Sequence, residues 1–275
     1  MKRREIKFLV TVDCDLRTDD VALRQESLDV LLGVFAQTGV SGHATWFLNE
    51  NDFAITKNHE SFLKEALRRG DSLGLHDHVD PFSDDYDKAI LRDFCRRSKE
   101  SVEAWLAANG APRTIALHRN GCLAQHENIY DVLRELGYPV LSDVYPEHTF
   151  PNHKQNLSFD NRHIPVGIPP YRHDAANWQD YRSTAGCFLH IPVMYMFVRE
   201  WDYGLVDRWL AAFERDGVED PVLVWLFHPY EIMNKAKTEI SPENLAAMRA
   251  IIKGMAERYG ATFASMDEIV RQVGA

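Results

Sequence analysis

The sequence has 275 residues, of which 45% are hydrophobic and 26% charged, as in a chain with a packed core. Its length suits one large domain or two small ones and its composition argues against disorder. The formal net charge of −10 argues against a nucleic acid or an anionic membrane surface as partner, because both attract clustered Lys and Arg.

Strand-like and helix-like patterns alternate along the chain. The opening "MKRREIKFLVTVDCD" has only a short apolar run, which Asp13 interrupts, so it predicts a strand and no signal peptide. The apolar spacing over residues 20–39 predicts a helix that ends at Gly39. Further strands are predicted at 43–49, 71–76, 113–118, 138–143, 187–197 and 221–228, and further helices at 59–70, 86–110, 124–137, 201–217 and 241–260.

Repeated strand–helix units with short connections predict a parallel sheet with right-handed crossovers. We therefore predict an α/β fold, a single domain over residues 1–275 built as a distorted β/α barrel of roughly seven units. The alternation of predicted strands and helices stops at residues 144–186, which are rich in proline, histidine and aromatic residues. This irregular insertion is expected to determine the substrate, and "RHIPVGI" within it is a strand candidate.

No run of ~18 apolar residues occurs, so no membrane span is expected. Together with the absent signal peptide, this leads us to expect a cytoplasmic protein. The four cysteines have no CxxC spacing and are expected to be free thiols. They are Cys14, Cys95, Cys122 and Cys187.

Polar residues follow several predicted strands, where the site of a parallel β/α fold forms. In "VDCD", Asp13 and Asp15 point the same way because strand side chains alternate. Two adjacent carboxylates repel each other unless a cation neutralises them. One of them then suits a metal ligand and the other a base. The alternative is a helix cap beside a solvated carboxylate.

The stretch "HDHVD" offers two ligand geometries. His76 and His78 share a face if the strand continues, whereas His76 and Asp80 share a face if the chain turns helical. Either pair, with Asp15, makes a three-ligand site. Imidazole and carboxylate ligands suit zinc, which we expect first, and also Co, Ni, Fe or Mn. A surface pair of histidines is the alternative reading.

Two later strands end in further candidates. Arg119 in "HRNG" carries a rigid cation that suits anchoring Asp13, unless it forms a surface salt bridge. His228 in "LFHPY" follows a long apolar run, where a hydrogen-bonded core histidine is the alternative to a functional one.

In this order, these segments resemble the polysaccharide deacetylase (NodB-homology, carbohydrate esterase family four) superfamily. "TVDCD" is similar to its first motif, "ATWF" to its ATFF strand and "SLGLHDHVDP" to its second motif. "RNGCL" and the later "ELGY" are similar to its third motif, and "VLVWLFH" to its last. The resemblance covers nearly the whole chain, but the third motif lacks the family's prolines and aromatic residue.

The resemblance implies a role for each matching residue. Asp13 would be the base, Asp15 and His76 metal ligands, Arg119 the residue that orients the base, and His228 the general acid. Proline alignment puts Asp80 where the family has its second histidine ligand, so either Asp80 or His78 completes the site.

The expected function is metal-dependent hydrolysis of a C–N amide bond. N-deacetylation or N-deformylation of an amino-sugar-containing substrate comes first, and the acyl group is left open. A small non-sugar amide, cyclic imide or ureide is one alternative, and a non-catalytic carbohydrate-binding relative is another. A backbone N–H near Gly121 is expected to hold the oxyanion. Candidates for stacking on a sugar ring are Tyr171, Trp178, Trp201 and Tyr230.

Overall fold

The computed structural model describes residues 5–82, 86–151 and 157–274, so residues 152–156 of the predicted insertion lie outside the described part. The strands are β1 (Lys7–Asp13), β2 (Thr45–Leu48), β3 (Ser72–Asp77), β4 (Leu117–Asn120), β5 (Val140–Leu141), β6 (Thr149–Pro151), β7 (Leu157–Asp160), β8 (Tyr171–His173), β9 (Phe188–His190), β10 (Met194–Tyr195), β11 (Val222–Phe227) and β12 (Thr262–Phe263). The α-helices are α1 (Val21–Thr38), α2 (Glu50–Phe53), α3 (Ile55–Asn58), α4 (Glu60–Arg69), α5 (Lys88–Ala108), α6 (Glu127–Glu135), α7 (Tyr203–Arg215), α8 (Pro242–Tyr259) and α9 (Met266–Gln272).

The predicted long helices are confirmed, and their ends follow the capping residues in the sequence. The side chain of Asp20 accepts hydrogen bonds from the first backbone N–H groups of α1, and Gly39 ends that helix at φ 79°. Ser241 caps α8, with Pro242 in its first turn. The strand predicted at "RHIPVGI" is wrong, because residues 162–168 form turns around Pro165, which lacks the backbone donor a strand needs.

The described residues form two compact units. The first unit combines the described parts of Met1–Trp46, Lys57–Ser72 and Met194–Gly274. In it, β1 runs parallel to β11 from Lys7↔Val222 to Val12↔Phe227. β10 pairs in parallel with β11, and β12 with β1. The strands of this unit therefore end on the same edge of the sheet, as in a parallel β/α fold.

The second unit combines Phe47–Thr56 and the described part of Leu73–Val193. Here β3, β4, β5 and β9 pair in parallel, and β8 joins β9 in the antiparallel sense. β6 and β7 form a separate antiparallel ribbon. Both elements of that ribbon and β8 come from the predicted insertion, so this segment does have structure of its own.

Aromatic side chains fill the core of the first unit. Phe8 and Trp225 come from the paired strands β1 and β11, and their rings stack with centroids 6.3 Å apart. Both side chains are fully buried. Within the described residues, no helix has the length and apolarity needed to cross a membrane.

Candidate functional site

The first unit places the predicted base and the predicted acid on neighbouring strands. Asp13 is the last residue of β1, and His228 directly follows β11. Because Val12 pairs with Phe227, the next residues, Asp13 and His228, occupy adjacent strand ends. Asp13 is 1% exposed and His228 is 8% exposed. A carboxylate and an imidazole thus lie at the same edge of one sheet, largely screened from water.

His228 is oriented by Glu231, a residue that the sequence analysis did not single out. Its ring Nδ1 and its backbone N each lie 2.9 Å from Glu231 Oε1. The backbone N–H of Val198 donates to the other oxygen, Oε2, at 2.9 Å. A carboxylate can only accept at this position, so the imidazole carries its proton on Nδ1 and has Nε2 available for chemistry. The i, i+3 spacing in "HPYE" is the local signal for this pair.

Two tyrosines pack around the His228 imidazole. The Tyr230 ring stacks on it with centroids 4.8 Å apart, and Tyr195 meets it edge-on at 5.7 Å. Burial is the main cause that raises the pKa of both phenols, so both are neutral near neutral pH. They form a partly apolar wall that fixes the plane of the imidazole.

Asp15, the predicted carboxylate ligand, is 2% exposed. Arg17 Nη2 lies 3.5 Å from its Oδ2. Burial of a carboxylate is costly unless cations or hydrogen bonds compensate it, and Arg17 supplies one such cation. The role of Asp15 as a metal ligand stays a prediction.

In the second unit, the imidazole of His76 is fixed by the neighbouring strand. His76 pairs with Arg119 in the β3–β4 register, and its Nδ1 lies 3.1 Å from the Arg119 carbonyl oxygen. A carbonyl only accepts, so Nδ1 carries the proton and Nε2 presents its lone pair. This backbone contact is the arrangement that orients a metal-binding histidine.

His78 and Asp80, between which the sequence could not decide, lie together. His78 Nδ1 is 3.1 Å from Asp80 Oδ1, and the rings of His76 and His78 are 4.9 Å apart. Cys122 lies close to His78 and Asp80. Each of these three residues offers one possible ligand atom, and the three atoms lie within 4.8 Å of one another. The donor set of imidazole, carboxylate and thiol fits a divalent transition metal.

Gly121 brings the end of β4 against His78. A Cβ at this position would lie 2.5 Å from His78 Cγ and 2.6 Å from His78 Cα. Only a residue without a side chain allows this approach. The next residue, Cys122, has φ 50°, which is uncommon for a residue other than glycine. The predicted oxyanion role of the Gly121 N–H stays a prediction.

Arg119 is fully buried, and Ser142 accepts hydrogen bonds from its guanidinium. Its Nε donates to the Ser142 carbonyl at 2.6 Å, and its Nη2 donates to the Ser142 hydroxyl at 2.9 Å. The guanidinium also lies 4.1 Å from the centre of the Phe47 ring. The surface salt bridge that was the alternative reading is therefore wrong, while its action on Asp13 stays a prediction.

A second group in this unit, Asp77, Cys95 and His118, also has ligand atoms within 4.8 Å of one another. Asp77 accepts hydrogen bonds from His118 Nε2 at 3.0 Å and from Ser98 Oγ at 3.1 Å. Asn51 donates to its other oxygen at 3.0 Å. These donors occupy both carboxylate oxygens, so we interpret this group as a buried hydrogen-bond network.

Another buried network lies around Asp143. His190 Nε2 is 2.8 Å from Asp143 Oδ1, and His190 Nδ1 is 2.9 Å from His173 Nε2. Burial lowers the pKa of His173 to about 4. The Tyr171 ring stacks on His190 at 5.4 Å and is only 6% exposed. The Tyr171 ring is thus largely covered by its neighbours, and its expected place in a stacking floor stays a prediction.

The insertion forms a cavity around Trp178. Its volume is ≈ 510 Å³, and Trp178 lines it together with polar residues such as Asn177 and Asp160. Trp178 is half-buried and packs on Tyr130 with ring centroids 5.7 Å apart. One part of the indole thus remains accessible, so a role in stacking on a sugar stays a prediction for Trp178. The same holds for Tyr230. Trp201, in contrast, packs edge-on against the buried Trp225 at 5.1 Å.

Comparison with known proteins shows what this fold is similar to. No family profile and no curated protein matches the chain. A candidate polysaccharide deacetylase from Mycobacterium smegmatis is similar in structure, with a TM-score of 0.64 at 15% identity over 99% of this chain and 91% of that one. The Xyl-CE4 domain of a multidomain xylanase from the hindgut metagenome of Trinervitermes trinervoides has a TM-score of 0.53 at 14% identity, over 99% and 92% of the two chains.

A third similar structure is a candidate polysaccharide deacetylase involved in O-antigen biosynthesis from Bordetella bronchiseptica. Its TM-score is 0.50 at 17% identity, over 98% of this chain and 90% of that one. The chain therefore has the α/β fold of the polysaccharide deacetylases, a distorted (β/α)7 barrel. The fold class predicted from the sequence is confirmed.

Proposed function

We propose that this chain, with the fold of the polysaccharide deacetylases, is a metal-dependent hydrolase that cleaves a C–N amide bond. The proposal treats residues 1–275 as one catalytic domain. The observation that carries it is the pair of imidazoles His76 and His78, each with Nδ1 hydrogen-bonded to an oxygen. Fixed imidazoles that present Nε2 are suited to ligating a divalent ion.

We assign Asp15, His76 and His78 as the metal ligands, with Asp80 as the carboxylate that orients His78. This assignment favours the interpretation of "HDHVD" in which His76 and His78 share a face, because the His78–Asp80 contact of 3.1 Å engages His78 Nδ1. Zinc is the first candidate ion, and Co, Ni, Fe and Mn suit the same ligands. An ion bound there would supply Lewis acidity, which polarises an amide carbonyl and makes water a stronger nucleophile.

Asp13 and His228 divide the proton transfers between them. Asp13 takes a proton from the attacking water as the base, and Arg119 is assigned to orient it. His228 gives a proton to the leaving amine from Nε2, because Glu231 keeps the other proton on Nδ1 at 2.9 Å. The Gly121 N–H is assigned to the oxyanion. The products are a carboxylate and a free amine.

The proposed substrate is an N-acetylated or N-formylated amino sugar within a nucleotide sugar, a lipid-linked sugar or an oligosaccharide. Trp178 supports a carbohydrate, because an accessible indole lines the ≈ 510 Å³ cavity of the insertion. A small non-sugar amide, cyclic imide or ureide is the second candidate for the same chemistry. A cytoplasmic chain would meet either class of substrate.

Metal binding and hydrolysis test the proposal together. Purified protein is titrated with Zn²⁺, Co²⁺ and Ni²⁺ by calorimetry, and then screened with N-acetyl and N-formyl amino-sugar nucleotides and with small amides. We expect one tightly bound ion per chain, lost in both Asp15→Ala and His76→Ala. We expect Asp13→Asn and His228→Gln to bind the ion and to lose about 10²-fold or more in kcat.

Asp216→Asn is the matched control, because Asp216 is exposed and, among the residues that the structure describes, its ion-pair partner is its neighbour Arg215 at 2.8 Å. The proposal is wrong if Asp13→Asn and His228→Gln hydrolyse every substrate at the native rate. A native chain that binds glycans without any metal would instead favour the non-catalytic carbohydrate-binding relative.

A further inference from the structure

A second cavity, in the first unit, adjoins the candidate acid. Its volume is ≈ 230 Å³, and its walls include Tyr230 and Glu231. These are the two residues that stack on and hydrogen-bond to His228. The cavity therefore lies beside the two residues that support the imidazole. Groups of a substrate that extend from His228 past Tyr230 and Glu231 would enter this cavity.

Basic side chains line the cavity in a chain whose net charge is −10. They are Arg199, Lys235 and Lys237. Arg199 Nε donates to the neutral amide oxygen of Asn244 at 2.7 Å. Among the residues that the structure describes, none of these three cations forms an ion pair with a carboxylate. Of the acidic residues in the walls, Glu231 is engaged by His228 and Val198, and Glu200 is exposed.

The two lysines are held by a closed loop. Met233 and Ile240 form an antiparallel bridge at its base, and the Asn234 side chain accepts the backbone N–H of Thr238 at 3.1 Å. Lys237 sits at φ 57°, a conformation that costs free energy for a residue with a side chain. Its Nζ lies 4.8 Å from the centre of the Tyr230 ring. The fold thus maintains a strained backbone that directs an ammonium group to the cavity wall.

A second cation meets the same ring. The guanidinium of Arg17 lies 4.9 Å from the centre of the Tyr230 ring. Two positive charges on one aromatic side chain repel each other, and the repulsion is largest where water is partly excluded. A bound anion near these cations would reduce that cost. The described walls carry three cations and two carboxylates, so the cavity keeps an excess of positive charge.

We propose that this cavity binds a phosphate group of the substrate, so that the chain acts on a phosphorylated or diphosphate-linked amino sugar. The inference rests on the proposed function for the position of the amide, but the binding of the anion stands on the cavity alone. Several separate cations suit the distributed charge of a phosphate, whereas a single carboxylate is usually matched by one bidentate arginine. A volume of ≈ 230 Å³ also exceeds the ~30 Å³ that one water occupies, so it accommodates a tetrahedral anion.

Calorimetric titration of the full chain with glucose 1-phosphate, glucose and glucuronic acid tests the inference. None of these probes has an amide, so the result does not depend on hydrolysis. We expect the affinity for glucose 1-phosphate to exceed that for glucose by about tenfold, as one or two charge-assisted hydrogen bonds would give. This ratio of affinities should fall as the NaCl concentration rises, because salt screens the cations.

The double variant Lys235→Gln/Lys237→Gln should lose the preference while keeping its affinity for glucose. Lys253→Gln is the matched control, since Lys253 is 69% exposed on α8 and lies 3.6 Å from Glu257. Thermal unfolding of each variant checks that the fold is intact.

Equal binding of glucose and glucose 1-phosphate, or a preference that survives in the double variant, overturns the inference. Glucuronic acid bound as tightly as glucose 1-phosphate overturns the assignment to phosphate. Phosphate binding without hydrolysis of any amide would support this anion site and refute the proposed function. Amide hydrolysis without a phosphate preference would support the proposed function and refute this anion site.

Discussion

Replacing Gly121 by alanine tests whether the close approach of β4 to His78 matters for metal binding. The added Cβ would lie 2.5 Å from His78 Cγ and 2.6 Å from both its Cα and its Nδ1. Non-bonded carbon atoms attract best at about 3.5–4.0 Å, so the overlap is about 1 Å. Because Cα belongs to the backbone, a rotation of the His78 side chain cannot relieve the overlap, and one of the two backbones must move.

The expected effects follow from a shift of that size. Overpacking of this kind costs about 1–3 kcal/mol in the free energy of unfolding. Moving His78 also breaks the hydrogen bond of 3.1 Å to Asp80, and loss of such a supporting contact typically weakens metal binding by about 10–100-fold. A displacement of about 1 Å at a catalytic centre lowers activity by about 10²-fold. Gly121→Ala should therefore impair metal binding and activity more than stability.

The measurements are urea unfolding, calorimetric titration with Zn²⁺ and steady-state hydrolysis of the best substrate. Gly33→Ala is the matched control. Gly33 lies in α1, and among the described residues a Cβ added there meets no atom beyond its own stretch of helix backbone within 4 Å. It should stabilise the protein by up to about 1 kcal/mol through helix propensity. A Gly121→Ala protein with native metal affinity and native stability would refute both the packing argument and the assignment of His78.

Three further predictions concern separate parts of the chain. Glu231→Gln should lower kcat by up to about 10²-fold with little change in KM, because an amide has one accepting oxygen and its NH2 group would face either the His228 N–H groups or the Val198 N–H. A loss of stability with native kcat would contradict this role. His59 and His173 are buried, and burial lowers the pKa of each from 6.5 to about 4. The fold therefore favours the neutral imidazole, and its stabilisation is complete above pH 6.5 and lost as the pH falls towards 4. The loss is about 3 kcal/mol for each histidine, and unfolding free energies that stay flat from pH 7 to 4 would count against it. Asp71→Asn should destabilise the first unit by about 1–3 kcal/mol, because the amide NH2 would face the N–H of either Gly42 or Trp46, which Asp71 now accepts. The melting temperature measures this loss, and an unchanged value would exclude the role of Asp71.

Much of the fold could be predicted from the sequence, because helix and strand patterns reflect local geometry. The terminal Gly39 predicted the end of α1, since capping depends only on neighbouring backbone groups. The positions of Asp13 and His228 at strand ends followed from the same local patterns. At residues 162–168 the apolar pattern predicted a strand, but the segment around Pro165 forms turns because proline lacks a backbone N–H.

The contacts that give these residues their chemistry were decided by the tertiary structure. The sequence left His78 and Asp80 as alternatives, and only the backbone path after β3 brought them into one hydrogen bond. Arg17 and Lys237 are far apart in sequence, yet both lie over the Tyr230 ring. Local patterns define elements through backbone hydrogen bonds a few residues apart, whereas a cavity depends on where loops return after packing. For this reason the sequence determined the α/β fold and its candidate residues, and the tertiary structure alone decided their partners.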